Sequence, residues 1–294
     1  MKQEEIESVK KAGEITRKIK SDLPKWIKKD MLLLEIAEKI ESDIIKFGGK
    51  PAFPVNLSIN EFTAHHTPAY NDETKAFGLL KIDFGVHING YVADNAFSID
   101  LENSDENKKL IETAEKALNA AIESIKNKKS LGEIGNEIQK TCSKNNLNSI
   151  KNLSGHGIGH WNLHTNPNIP NYNNENGKIL EDGVYAIEPF VTNGIGIVYD
   201  GKPSGIYELK NQKNVRDSNA REILNYIIEN YQTLPFCSRW LVKKFGTRAL
   251  ISLSMIEKTK ALHQFSQLIE KSRSKVAQAE HTIIINNGHI EIVT

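Results

Sequence analysis

Cys142 and Cys237 are the only cysteines in 294 residues, and neither lies in a C-x-x-C pattern. This scarcity excludes a disulfide framework and a cysteine-based zinc knuckle, and both are read as reduced thiols. A long apolar run is also lacking at the start. Met1-Lys2-Gln3-Glu4-Glu5 is charged with no hydrophobic stretch behind it, so neither a secretory signal nor a membrane anchor is expected, and the expected location is cytoplasmic. There is no charge of one sign to speak of: 38 basic against 37 acidic side chains leave a formal net charge of +1, which gives no hint of stable nucleic-acid binding. What is present, 39% hydrophobic and 26% charged residues over this length, suffices for one large α/β domain or a domain carrying an insertion.

Apolar residues recur at helical spacing over Glu4 to Trp26 and Leu32 to Phe47, where Gly48-Gly49 provides a stop. From Phe53 to Ser98 the pattern becomes that of short strands, with a β-hairpin predicted around Asn89-Gly90. Two more helices are predicted near Glu106 to Lys126 and Leu131 to Asn145, followed by a second strand-rich stretch from Ile150 to about Leu209. The order of helices and then strands thus repeats, without a close sequence repeat. Val215 to Arg273 reads as helical, with pieces at Ala220 to Asn230, Cys237 to Phe245 and Arg248 to Lys258. A last hairpin is predicted around Asn287-Gly288, so the helical block looks inserted into a β-containing domain.

Asp83 and Asp94 each sit inside an apolar strand, where an unpaired carboxylate is costly to bury. If Asn89-Gly90 is a two-residue turn, Ile88 pairs with Tyr91, Asp83 falls opposite Ala96, and Asp94 is its diagonal neighbour on the same face. Such a pair suits divalent cations, although on the hairpin alone turn capping or pairing with Lys or Arg serves equally well. Leu153-Ser154-Gly155-His156-Gly157-Ile158-Gly159-His160, continuing to His164, places three histidines in nine residues. Its glycines allow close backbone approach, and neutral imidazole is a good ligand. The glycine spacing is neither G-x-G-x-x-G nor G-K-[ST], so a nucleotide site is rejected. Glu188 and Glu280 lie in apolar strands, where either alone is more often a solvent-facing strand end. Taken with two Asp and one His, they complete a ligand set for a dinuclear hydrolytic centre. His65 and His66 precede the first aspartate strand, where one serves as proton donor or amine-binding group, or the two form a polar-loop pair.

In order along the chain, I-D-F-G with a later aspartate, S-G-H-G-I-G, A-I-E-P-F and A-x-x-E-H-T-I resemble the methionine aminopeptidases from roughly Phe53 to the C-terminus. The helical block before the last glutamate resembles type II, in the archaeal form. The resemblance implies a pseudo-symmetric pita-bread α/β (α+β) fold with a helical insert subdomain: residues 1–214 catalytic, 215–273 the insert and 274–294 the closing catalytic strands. It implies that Asp83, Asp94, His156, Glu188 and Glu280 bind two divalent metal ions, drawn from cobalt, manganese, iron(II) and zinc. It assigns His65 and His164 to substrate binding and catalysis, Phe53 to the methionine pocket, and Glu188 to proton transfer as well. His66, His160 and His281 remain structural neighbours.

The expected activity is removal of the N-terminal methionine from nascent proteins, with a small second residue preferred. The protein is expected to be monomeric, with any ribosome contact transient. Two other readings compete. A proline-directed aminopeptidase uses the same ligand types, but the chain lacks room for the usual N-terminal domain. A non-catalytic binding factor would be expected to lose ligands, and the basic residues of the insert are interrupted by Glu222, Glu229 and Glu257, which reads as a solvated face.

Overall fold

The computed structural model describes residues 1–294. Helices α1 (Gln3–Trp26) and α2 (Leu33–Lys46) present the apolar stripe that their periodicity predicts. Ile15, Ile19 and Leu23 of the first and Ile36, Ile40 and Ile44 of the second pack on Leu57, Leu80 and Ile82 of the sheet below. That sheet has Leu79–Asp83 at its centre, between Asn56–Ile59 and Ala96–Asp100.

The arrangement then recurs. Helix α3 (Asp105–Lys126) starts where the Ser104 hydroxyl accepts from the Asn107 N–H, and α4 (Leu131–Lys144) starts on a reciprocal cap between Ser130 and Glu133. Caps of this kind contribute about 1 kcal/mol each. Leu118, Ile122, Ile134 and Ile138 of this pair pack on Tyr185, Ile187 and Ile283. The sheet beneath is antiparallel and five-stranded, in the order Asn162–Pro170, Ser154–Gly159, Gly183–Ile187, His281–Asn286, His289–Ile292. A helix pair over a sheet, formed twice, gives the pita-bread fold its pseudo-symmetry.

Both predicted hairpins form, the first in the predicted register. Ile88 pairs with Tyr91 and Asp83 with Ala96. Asn89 and Gly90 take φ of 50° and 85°, the left-handed pair that a two-residue turn requires. At the C-terminal end Asn286 pairs with His289 around the same two residue types. Lys81 links the halves from a fully buried position: its ammonium donates to the carbonyls of Asn60 at 2.9 Å and Val276 at 2.7 Å. Burial lowers its pKa to about 7.

Helices α5 (Ser218–Asn230), α6 (Ser238–Phe245) and α7 (Arg248–Lys258) gather their own core around Ile223, Leu241 and Leu253. The helical reading of 215–273 is corrected at its end. Leu262–Glu270 is a strand, paired on one side with Val198–Leu209 and on the other with Phe62–Ala64. The pairing satisfies backbone groups on two neighbouring strands, a tertiary demand that outweighs local pattern. Its Phe265 and Leu268 line the central cavity, so this piece belongs to the wall of the site.

Candidate metal centre

Strand ends carry the five candidate ligands. Asp83 closes Leu79–Asp83, and Asp94 follows Tyr91–Ala93. In the five-stranded sheet, Ala186 sits between His156 on one neighbour and Thr282 on the other. His156, Glu188 just beyond its strand, and Glu280 just before His281–Asn286 therefore share one end of that sheet. Two contacts bring the halves together: the Thr282 hydroxyl donates to the Asp94 carbonyl while accepting from the Asp94 N–H, each at 2.8 Å, and the Glu280 N–H donates to Ala96 O at 2.8 Å.

The result is a compact polar cluster. One ligand atom each from Asp94, His156 and Glu280 lie within 4.8 Å of one another, and all three residues are buried. His156 Nε2 is 3.4 Å from Glu188 Oε1 and 3.9 Å from Asp94 Oδ2. His156 Nδ1 lies 3.1 Å from the Gly157 carbonyl, which can only accept, so Nδ1 carries the proton and Nε2 is free as a donor atom for a metal. Glu280 Oε1 is buried without any hydrogen-bond partner.

These features fit divalent cations. Burial raises the carboxyl pKa values of Asp83, Glu188 and Glu280 well above the usual range, with repulsion among the acids adding to it; burial takes Asp94 up to about 7. Burial also takes His156 down to about 4, keeping it neutral and able to coordinate. Oxygen-rich sets with one imidazole accept manganese, iron, cobalt or zinc.

Stability of the metal-free protein should carry this signature. For an acid whose pKa is higher folded than unfolded, the folded state binds more protons between the two values, so stability is present at low pH and is lost as pH rises through the folded value. The stabilisation these acids give the metal-free protein is therefore expected to fall between about pH 4, near the unfolded carboxyl value, and the value of about 7 for Asp94. His87, His156 and His281, held at about 4 by burial, act the opposite way up to their ordinary value of 6.5, so the acid is isolated by the melting temperature of wild type minus that of Asp94→Asn, which should decline across the window. Added divalent cation should raise the melting temperature most at the upper end of that window. A difference between wild type and Asp94→Asn that is flat or rising with pH there would contradict the arrangement.

Glycine explains how a histidine strand packs so tightly. A Cβ on Gly155 would stand 2.4 Å from the Ala186 carbonyl oxygen, whereas one on Gly159 meets nothing nearer than a Thr165 methyl at 3.2 Å. Gly155→Ala must push the histidine strand away from its neighbour. It is expected to cost about 1–3 kcal/mol and to weaken metal affinity, with Gly159→Ala much milder in melting and metal titration.

A cavity of about 220 Å³ opens over the cluster. Phe53, His65, Asp83, Asp94, His156, His164, Glu188 and Glu280 all line it, so every site residue proposed from the sequence meets at one place. His65 has φ of 58°, and its Nδ1 lies 3.2 Å from Ser266 O, which places the proton on Nδ1 and leaves Nε2 as an acceptor. His164 opens to the cavity with its ring edge-on to His156 at 4.4 Å. Burial, then the nearby His156, His65 and Lys210, hold the His164 pKa well below its usual value. His66, His160 and His281 have packing roles: His66 Nδ1 meets Leu57 O at 2.8 Å, His160 stacks on Tyr91 at 4.3 Å, and His281 Nδ1 lies 3.2 Å from Thr294 Oγ1.

Several neighbours escaped the sequence reading. Gln278 Nε2 lies 3.4 Å from Glu188 Oε2, and Lys20 on α1 reaches Asn95 Oδ1 at 2.8 Å beside Glu280. Asn56, Ile206, Pro235, Phe265 and Leu268 complete much of the lining. Gln278 falls on an unspecified position of A-x-x-E-H-T-I, so the motif gave no signal for it.

A buried carboxylate and imidazole cluster at the floor of a cavity in this fold defines a metal-dependent hydrolase. The family model for metallopeptidase family M24 matches residues 7–286. A methionine aminopeptidase from Methanocaldococcus jannaschii is 38% identical over the full length of both chains. Among solved structures, a thermophilic Arx1 superposes with a TM-score of 0.85 at 16% identity, over all of this chain and 91% of that one. A methionine aminopeptidase from Thermotoga maritima gives 0.70 at 23% identity, over all of this chain and 98% of that one. At these identities the two structures speak for the fold alone; the full-length relative speaks for more. The chain belongs to metallopeptidase family M24 and, within it, to the archaeal-type methionine aminopeptidases.

Proposed function

We propose that the chain removes the N-terminal methionine from nascent proteins, with Asp83, Asp94, His156, Glu188 and Glu280 holding two divalent cations. The observation that carries this reading is the convergence of these five residues beneath a cavity whose remaining wall includes Phe53, His65 and His164. Divalent cations bound there would supply Lewis acidity and a lowered water pKa. Each surrounding side chain has a distinct task. Phe53, buried at the cavity wall, offers apolar surface to a methionine side chain. His65, with its proton committed to Ser266, accepts a hydrogen bond from a substrate N–H at Nε2. His164, neutral, donates to the peptide carbonyl as negative charge grows on it. Glu188, whose pKa is raised, carries a proton between the attacking oxygen and the leaving amine.

The reading extends to a preference for a small second residue, a monomeric cytoplasmic protein, and only transient meeting with the ribosome. It also takes the helices of 215–273 as an insert subdomain between catalytic segments 1–214 and 274–294. Metal-stripped protein incubated with Met-Ala-Ser and Ala-Pro peptides, with manganese, iron(II), cobalt or zinc restored singly, tests the central claim. Metal-dependent release of methionine is expected. Release from the Ala-Pro peptide instead would redirect the substrate, and inactivity with every metal would remove the proposal.

A further inference from the structure

The insert meets the catalytic domain through a buried ion pair. Arg239, on α6, is 2% exposed, and its guanidinium forks onto Glu41 of α2, itself 7% exposed, with Nη1 to Oε2 at 2.7 Å and Nη2 to Oε1 at 2.8 Å. Trp240 Nε1 adds a third donor to Glu41 Oε2 at 2.9 Å. Neither charged residue lines the central cavity.

Both reach segments that do. Arg239 Nε donates to the Pro68 carbonyl at 3.0 Å, and Nη2 approaches Thr67 Oγ1 at 3.4 Å. Glu41 Oε1 accepts the Val55 N–H at 3.3 Å, and the Thr67 hydroxyl donates to the Val55 carbonyl at 2.9 Å. Val55 lies between the lining residues Pro54 and Asn56, two residues from Phe53. Thr67 and Pro68 follow the lining residues Ala64 and His65, and Arg239 is four residues past the lining residue Pro235. One ion pair thus ties three separate stretches of cavity wall to two helices.

We propose that Arg239 and Glu41 are positioning residues for the methionine side of the site, holding the Phe53 wall and the His65 loop in register from outside the cavity. Stability is a poor reason for such a pair, because well-packed apolar replacements of buried ion pairs are often neutral or stabilising. An apolar pair cannot hold the Pro68 carbonyl or the Val55 N–H. The planar fork of arginine also serves several acceptors at once, which an ammonium does not. His65 has a left-handed backbone conformation, so its placement depends on the segments that flank it.

The proposal rests on the methionine aminopeptidase reading, and the test separates the two. Wild-type protein, Arg239→Lys and the double variant Glu41→Leu/Arg239→Met are loaded with the metal that supports wild-type activity. Each is assayed on Met-Ala-Ser and Leu-Ala-Ser, with melting temperature and metal content measured alongside. Arg239→Lys keeps the charge but loses the fork, and the double variant leaves no buried charge, so it carries the test should the lysine variant fail to fold. With metal content unchanged, kcat/KM for the methionine peptide is expected to fall roughly ten- to a hundredfold, and the preference for methionine over leucine should shrink. A purely structural role would move the melting temperature and leave selectivity alone. A folded variant with wild-type kcat/KM and selectivity would overturn the proposal, whereas an inactive wild type would overturn the functional reading beneath it.

Discussion

Glu280→Gln is expected to lower methionine release by about a thousandfold while making the metal-free protein more resistant to heat. The first effect follows from the value of the cations: Lewis-acid stabilisation of the transition state is worth several kcal/mol, and each 1.36 kcal/mol is a factor of ten in rate. The second follows from the metal-free energetics. Glu280 is buried beside Asp83, Asp94 and Glu188, its Oε1 has no partner, and its pKa is forced well up by burial and by those acids. An amide of nearly the same shape removes the buried charge and the repulsion while leaving the packing intact. Wild-type protein should gain melting temperature on adding metal, and the variant should gain much less. The opposite pattern, a variant less stable without metal but fully stabilised by it, would mean that Glu280 serves the fold and not the ions.

The same residue shows why so much of the centre was legible. A glutamate inside Val276-Ala277-Gln278-Ala279-Glu280-His281-Thr282-Ile283 contradicts its surroundings, and a sequence tolerates such a contradiction where function requires it. Asp83 and Asp94 stood out likewise, although the hairpin alone left capping or ion pairing equally open, and Asn89-Gly90 fixed their relative position because a two-residue turn admits one register. Helices α1 to α4 were legible from their apolar periodicity, which the two sheets beneath them match.

What escaped lacked a local signal. The strand Leu262–Glu270 exists because two distant strands need a partner, and nothing within its own residues records that. Arg239 and Glu41 lie far apart in the chain, and each alone reads as an ordinary charged helix residue. Asn56 joins the cavity wall through its strand pairing opposite Asp83, and Pro235 reaches it from the 215–273 segment, neither of which a local pattern records. The hairpin carrying His164 turns at His160-Trp161, neither of which announces a turn, and Trp161 takes φ of 55° to make it.

That hairpin also makes His164 the most informative substitution outside the ligand set. The register between Ser154–Gly159 and Asn162–Pro170 shifts between Asn162 and Thr165, an irregularity of the kind that redirects a side chain at an active site. His164 is thereby brought edge-on to His156 and faces the cavity with its ring free of hydrogen bonds to the protein. Its pKa is held below the ordinary value, which favours the neutral ring, so it can donate one hydrogen bond without adding a positive charge beside a bound cation. His164→Ala is expected to lower kcat by a factor on the order of a hundred to a thousand, as loss of one transition-state donor does. Metal affinity and KM should change little, because the donor strengthens only as the carbonyl oxygen gains charge. His164→Gln, which restores an N–H, should recover part of the loss. A variant that keeps kcat but loses metal would instead place His164 in support of His156, as the neighbour that holds the liganding ring.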